Sequence, residues 1–329
     1  MNSRRKLMIG VAAMLTAPAG LLAQSQKKVW RVGFLSLRRV ASLAADDVYG
    51  PLVSGLRELG YAEGANLIIE LRAADSRVDA LRSLADQLVQ AKVDAIVTSG
   101  SQATAAAQQA TSTIPIVMGT VSDPVASGFA KSLAHPGGNI TGLSNLGSDI
   151  TGKHLELLRE MLPRMSRVAV LVNSSNSSRQ QALNSISAAC KKANVRMFSF
   201  EAATPAQIDA AFDSMSRQKC EGLIVSLDSF FSERRGQFAE LTRKYRIPSI
   251  FAMREHVEAG GLMSYGQNVS ANFKRAATFV DKIFKGAKPA DLPIEQSTIL
   301  ELYINRRTAR ALGLTIPQSL LIGTDKVIE

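Results

Sequence analysis

Short β-branched runs alternate along the chain with longer segments of helical period, the pattern of parallel strands joined by crossover helices. Val29–Leu37 opens the series as a strand, and Tyr49–Leu59 follows as a helix stopped by Gly60. Leu67–Leu71 is a second strand. In Val78–Ala91 the residues Leu81, Leu84, Leu88 and Val89 recur at helical spacing and form one apolar stripe. Val93–Thr98 reads as a buried parallel strand, Ser101–Ala110 as an alanine-rich helix and Ile114–Met118 as another strand. Ser122-Asp123-Pro124 reads as a helix start, with a capping residue and an early proline. Ile140–Leu143 runs out as a further strand.

The cycle then restarts. Helices are expected over Lys153–Met161, Arg179–Ala193, Pro205–Arg217, Glu233–Tyr245, Arg254–Ala259, Ala271–Phe284 and Arg307–Leu312. Strands are expected over Val168–Val172, Val195–Phe200, Gly222–Leu227, Pro248–Ala252, Leu262–Ser264 and Ile299–Ile304. No short period repeats, so this is not a solenoid. Between the two arrays Gly142, Ser144, Asn145, Gly147 and Ser148 cluster, which makes a hinge candidate. Ligands of open parallel sheets sit beyond the carboxyl ends of the strands, so two sheets facing one another make one cleft.

The N-terminus departs from this pattern. Arg4, Arg5 and Lys6 precede an apolar stretch to about Ala23, interrupted by Thr16, Pro18 and Gly20. That is a twin-arginine-like export signal over residues 1–23, too short and broken for a good membrane span. No cysteine follows the small residues of the cleavage region, where Gln24 stands next. The mature chain is therefore expected to be soluble in the periplasm without a lipid anchor. Hydrophobic residues make up 46% of the 329, enough for two packed domains. Removing Arg4, Arg5 and Lys6 takes the formal charge from +11 to +8. The remaining cations are scattered in doublets such as Arg38-Arg39 and Arg306-Arg307. These read as solvated faces, not as a nucleic-acid surface. Cys190 and Cys220 are the only cysteines, and they read as single thiols rather than a bridge.

Catalytic constellations are absent. His135, His154 and His256 are the only histidines, and none stands near a nucleophile in the pattern. Ser216-Arg217-Gln218-Lys219 fits Ser-x-x-Lys but lacks the companion motifs. There is no phosphate-binding loop, dinucleotide fingerprint or metal spacing, so no cofactor and no metal is expected. The strand-end loops do carry polar groups. Thr98-Ser99-Gly100-Ser101-Gln102 lies between a strand and a helix start, where free N–H groups and hydroxyls suit a carboxylate. Phe34 and Ser36 end the first strand. Ser122 and Asp123 follow the fourth, and Asp123 suits a cap as well as a ligand amine. Asn173 and Asn176 follow Val168–Val172. Asp228 follows Gly222–Leu227 and suits an ammonium group. Arg254 and Tyr265 end the later strands, and Tyr265 offers an aromatic face. Export, a cleft and missing chemistry together point to a solute receptor.

Several longer segments are more specific. They include Arg57-Glu58-Leu59-Gly60-Tyr61, His135-Pro136-Gly137-Gly138-Asn139-Ile140-Thr141-Gly142, Arg254–Gly266 and Lys285-Gly286-Ala287-Lys288-Pro289-Ala290-Asp291-Leu292-Pro293. In these the chain resembles the ABC-transporter substrate-binding family that includes tryptophan/tyrosine-binding proteins. The resemblance implies an α/β fold of the type I periplasmic binding class, with two Rossmann-like lobes of parallel sheet joined by crossing hinge strands. The lobes are expected over 28–143 plus 268–298 and over 144–267 plus 299–329. It also implies capture of a small organic solute, an amino acid or related carboxylate, by hinge closure, and delivery to an ABC permease. A monomer that is not an enzyme is expected. Thr98–Gln102 would hold the carboxylate, Asp228 the amine, and Phe34 and Tyr265 the apolar part. The family's Asn-Pro-x-Asn-Pro loop reads Asn173-Ser174-Ser175-Asn176-Ser177 here, with the asparagines kept and the prolines lost. A ligand-sensing receptor module and a secreted α/β enzyme are the rival readings.

Overall fold

The computed structural model describes residues 28–40, 48–121, 123–145 and 147–329. The export signal and Ser122 lie outside the described residues. Two sheets form. The first contains β1 (Trp30–Ser36), β2 (Leu67–Ala73), β3 (Ala95–Ser99), β4 (Ile116–Thr120), β5 (Ile140–Ser144) and the short β11 (Glu295–Gln296), in the order β11-β5-β4-β3-β1-β2. All its pairings are parallel. The second contains β6 (Arg167–Val172), β7 (Arg196–Glu201), β8 (Gly222–Val225), β9 (Ser249–Phe251), β10 (Met263–Gln267), β12 (Leu300–Asn305) and β13 (Lys326–Ile328), ordered β13-β12-β10-β9-β8-β6-β7. Only β10 and β12 run antiparallel, because the chain returns to this sheet from the opposite direction.

Helices cover both faces of each sheet, which is why the central strands are buried along their length. On the first sheet Leu35, Ile96 and Met118 pack with α2 (Leu81–Gln90) and α3 (Ser101–Ala110). The opposite face packs Val32, Phe34, Val97 and Val117 against α1 (Tyr49–Glu58) and α10 (Val269–Phe284). Helix α10 follows a strand of the second sheet in sequence yet belongs to the core of the first lobe. There Phe273 lies 5.9 Å from Phe34, ring to ring. Gly55 allows the approach of α1, since a Cβ there would sit 2.7 Å from the Lys274 carbonyl. In the second lobe Val168, Val170 and Ile224 pack with α4 (Gly147–Met161) and α5 (Arg179–Ala193). Its other face packs Leu171, Leu223 and Phe251 with α6 (Pro205–Arg217) and α8 (Arg235–Lys244). Among the described residues no helix is long and apolar enough to cross a membrane. Cys190 and Cys220 are both free thiols.

The structure differs from the expected pattern in three places. Residues 124–128 form turns, not a helix. Asp123 accepts from the backbone N–H groups of Val125 (3.1 Å) and Ala126 (2.9 Å), and Gly128 then turns the chain at φ +73°. The helix expected over Glu233–Tyr245 is α8, and α7 (Ser229–Glu233) precedes it as an additional helix, set off at Arg234 (φ −102°, ψ 14°). Past α11 (Arg306–Leu312) the chain adds α12 (Gln318–Ile322) and β13, and β11 is likewise additional.

The chain passes between the sheets three times: after β5, after β10, and between β11 and β12. Hydrogen bonds lace these passages. The Ser297 N–H donates to the Ser144 carbonyl (3.4 Å), Gln267 Nε2 to the Ser297 carbonyl (2.7 Å), and the Asn268 N–H to the Ile299 carbonyl (3.2 Å). His154 on α4 is buried beside this region, its Nε2 2.5 Å from the Tyr265 carbonyl. His256, on α9 (Arg254–Glu258), stacks on Phe251 at 4.4 Å. Burial pushes both imidazoles from 6.5 down to about 4. The unfolded chain binds these protons near 6.5 and the folded chain only near 4. The unfolded state therefore holds more protons in that window, and stability falls as pH drops through it. The loss is about 3 kcal/mol per fully buried imidazole. Urea denaturation between pH 6.5 and 4 should show a midpoint falling with pH, with a clearly shallower slope in His154→Gln. A midpoint independent of pH would contradict the buried, neutral histidines.

Candidate functional site

The carboxyl ends of strands from both sheets meet at one cleft. Arg38 follows β1, Ser99 ends β3, Thr120 ends β4 and Asn145 follows β5. From the other lobe come Asn176 after β6, Leu227 and Asp228 after β8, and Met253 after β9. The space not filled by protein atoms is about 410 Å³, its open mouth included.

The first lobe contributes the β3–α3 turn. Gly100 holds it at φ +94°, a left-handed value that favours glycine. A Cβ at this position would lie 2.5 Å from Ser229 Oγ of the other lobe, so glycine also sets how closely the lobes approach. Behind the turn Thr98 and Thr104 share a hydroxyl–hydroxyl bond of 2.8 Å, and Thr104 donates to the Gly100 carbonyl (3.0 Å). Residues 99–102 are thereby aimed outward, with the N-terminus of α3 facing the cleft.

The second lobe contributes Asp228. The residue is 4% exposed and its carboxylate accepts four hydrogen bonds. Oδ1 takes Asn173 Nδ2 (2.9 Å) and the Phe230 N–H (2.9 Å). Oδ2 takes Asn176 Nδ2 (2.8 Å) and Gln102 Nε2 (2.8 Å), and Gln102 comes from the opposite lobe. The asparagines are fixed in turn, since Asn173 Oδ1 accepts from the Ser175 N–H and Asn176 Oδ1 from the Ser178 N–H, both at 2.9 Å. A second charged contact spans the cleft. Arg38 Nη1 lies 3.1 Å from Glu255 Oε1, with side-chain exposures of 2% and 8%. At the rim Ser127 Oγ lies 3.1 Å from Ser177 Oγ and 3.3 Å from Ser178 Oγ.

Residues 39–328 match the family described as ABC transporter substrate binding protein. The chain belongs to this family. It is 27% identical over 288 residues to a tyrosine-binding protein of Clostridioides difficile, covering 88% of this chain and 82% of that one. It superimposes with TM-score 0.84 and 25% identity on an ABC domain from Streptococcus pneumonia in complex with L-Trp, over 91% of this chain and 99% of that one. The ligand-free, open structure of a Clostridium difficile substrate-binding protein with adhesive properties gives TM-score 0.66 at 26% identity, over 91% of this chain and 99% of that one. The fold is that of the type I periplasmic binding proteins.

In this substrate-binding protein the strand-end residues divide into two groups. Ser99, Gly100, Ser101, Gln102, Asn176 and Asp228 line the cleft together, and Asn173 supports them from behind. Phe34 instead lies in the core against Tyr49 and Phe273, at 5.6 and 5.9 Å. Ser36 Oγ accepts from the Arg38 N–H (3.1 Å), and Thr98 faces Thr104. Asp123 caps a turn. Arg254 Nη1 lies 3.4 Å from the Tyr303 hydroxyl, and the Tyr265 ring packs edge-on against His154. None of these six is among the cleft-lining residues. Arg38 is the main residue that sequence reading misplaced. The Arg38-Arg39 doublet reads as a solvated face, yet Arg38 is buried in the cleft, while Arg39 is exposed. Thr120 and Ser229, neighbours of the strand-end candidates, Asn145, expected in the hinge, and Met253 line the cleft as well. The usable signal was position, since each stands at or just beyond a strand end.

Replacing Asp228 by alanine leaves three side-chain amides and the Phe230 N–H without their acceptor. Such a loss costs about 3 kcal/mol for a buried charged acceptor. Urea denaturation of Asp228→Ala is the check, and a loss below about 1 kcal/mol would contradict the network.

Proposed function

We propose that the protein is the periplasmic receptor of an ABC importer, that its ligand is an amino acid or related carboxylate, and that the lobes close over it by rotation at the three passages. The carrying observation is the polar cleft between strand ends, spanned by the Gln102–Asp228 hydrogen bond. Two comparisons at nearly equal identity and coverage support closure. The likeness to the L-Trp complex, TM-score 0.84, exceeds that to the open, ligand-free relative, 0.66. The relatives named for tyrosine and found with L-Trp support an amino acid, aromatic ones included.

The chemistry of the cleft suits a zwitterion. The N-terminus of α3, with the Ser99 and Ser101 hydroxyls, favours a carboxylate. Asp228 favours an ammonium group, which would take the place of an amide donor such as Gln102 Nε2, since all four bonds are already used. Val48, Leu227, Met253 and Val269 give the side chain an apolar wall. Closing the cleft removes water and strengthens each of these contacts. The docked partner is then a permease in the inner membrane. The receptor acts as a monomer and releases its ligand unchanged.

A thermal-shift screen of the mature chain against the L-amino acids, tyrosine and tryptophan included, tests the reading. A ligand bound to the folded state at 100 times its dissociation constant adds about 2.7 kcal/mol. The expected result is an upward shift of several degrees with one chemical class and recovery of that compound intact by mass spectrometry. No shift with any amino acid or small carboxylate would sink the ligand assignment, and conversion of the compound would sink the receptor reading.

A further inference from the structure

A second concavity opens at the other end of the second sheet. It lies between α8 and α11 at the amino ends of β9 and β10, whereas the solute cleft lies at the carboxyl ends of the strands. The space not filled by protein atoms is about 1090 Å³, its open mouth included. Small residues leave the room: Gly236 and Ala239 on α8, Gly260 before β10 and Ala311 on α11. Gly260 comes close to α8, since a Cβ there would meet that of Ala239 at 3.4 Å. Ile247 and Leu312 complete an apolar wall.

Two features of this groove are not used by the fold. The first is a hydroxyl. Ser249 opens β9 and is fully buried, yet its Oγ has no hydrogen-bond partner. Ser249 and Phe251 share one face of the strand, and Phe251 packs on Phe238 of α8 at 5.9 Å between rings. The Ser249 side chain is thereby on the side of the sheet where the groove lies. The other two hydroxyls of the lining are taken, Thr242 donating to the Phe238 carbonyl (2.8 Å) and Thr308 to the Gly260 carbonyl (2.9 Å). A buried hydroxyl left unpaired is costly and calls for an explanation.

The second feature is charge. Arg243 and Arg246 stand at and just beyond the end of α8, and Arg307 lines the groove from α11. Among the described residues none of the three guanidinium groups makes an ion pair or a side-chain hydrogen bond, and Glu240 is the one acid in the lining. Arginines scattered singly over a surface are ordinary, but three around one concavity focus a positive potential into it. Their planar forks of donors match the oxygens of a carboxylate, sulfonate or phosphate.

We propose that this groove is a second ligand site, which takes a free organic anion. Arg243, Arg246 and Arg307 hold the anionic group, Ala239, Ile247, Ala311 and Leu312 cover the apolar body, and a polar atom of that body meets Ser249 Oγ, which can donate or accept. The site belongs to the second lobe alone, so it is available whether the solute cleft is open or closed. It is independent of the amino-acid reading above, and its ligand differs from a zwitterion in needing no ammonium group.

The test is fluorescence titration of the mature protein with 8-anilinonaphthalene-1-sulfonate, an aryl sulfonate that also carries an N–H. The wild-type protein is compared with an Arg243→Gln/Arg307→Gln double variant, Ala311→Trp and Ser249→Ala, and the melting temperature of each is recorded. One saturable site is expected, weakened by added salt. The double variant, whose changes are both on exposed residues, should bind about tenfold more weakly, the equivalent of about 1.4 kcal/mol. Ala311→Trp fills the groove from an exposed position and should abolish binding. Ser249→Ala should weaken it about threefold and leave the melting temperature unchanged or raised. No saturable binding would overturn the proposal, as would affinity within about twofold of wild type in the double variant or in a folded Ala311→Trp. A lower melting temperature in Ser249→Ala would show the hydroxyl already satisfied and would remove it from the site.

Discussion

The structure depends on one topological constraint: the chain passes between its two sheets three times and the sheets share no strand. Each sheet is covered by helices on both faces, and one buried apolar cluster runs on from the first lobe into the second. Along the chain, what joins them is three short passages, laced by hydrogen bonds among Ser144, Gln267, Ser297 and their neighbours. Packed interiors resist deformation, whereas loop and strand-end residues take up rotation. Parallel pairing within each lobe also puts the variable, polar loops at one edge. The cleft therefore follows from the connectivity before any particular side chain is considered.

The side chains then decide how the lobes meet. Two acids and one arginine are buried at the junction, and a buried charge needs partners. Asp228 obtains three from its own lobe and a fourth, Gln102, from the other. Arg38 and Glu255 obtain each other across the gap. Opening would exchange these contacts for water rather than leave charges bare, so neither state is strongly favoured by electrostatics alone. A balance of that kind suits a receptor, since a ligand moves an equilibrium only by its differential affinity for the two states. Gly100 contributes sterically by letting the β3–α3 turn touch Ser229.

Much of this was legible in the sequence. Runs such as Val168–Val172 and Gly222–Val225 announce buried parallel strands, and the α/β class followed from their alternation with helices. Ser99–Gln102, Asn176 and Asp228 were found because ligand groups in such folds cluster at strand ends. Phe34 and Tyr265 went astray for a simple reason. Adjacent strand residues point to opposite faces, and sequence does not say which face a helix from elsewhere in the chain will cover. Phe34 is covered by α10, more than two hundred residues away. Arg38 failed in the opposite sense: an arginine doublet is usually solvated, and only the return of Glu255 from the second lobe shows that this one is buried. Contacts between distant segments carry no local pattern, and the lobe junction is made of them.

The central claim is that the cleft is a ligand site that closes. Small-angle X-ray scattering of the mature protein, empty and saturated with the amino acid that stabilises it most, tests this directly. The account predicts a smaller radius of gyration in the saturated protein and a profile matching the structure described above. An empty and a saturated protein with identical profiles matching an open form, at ligand concentrations that fully occupy the site, would contradict it.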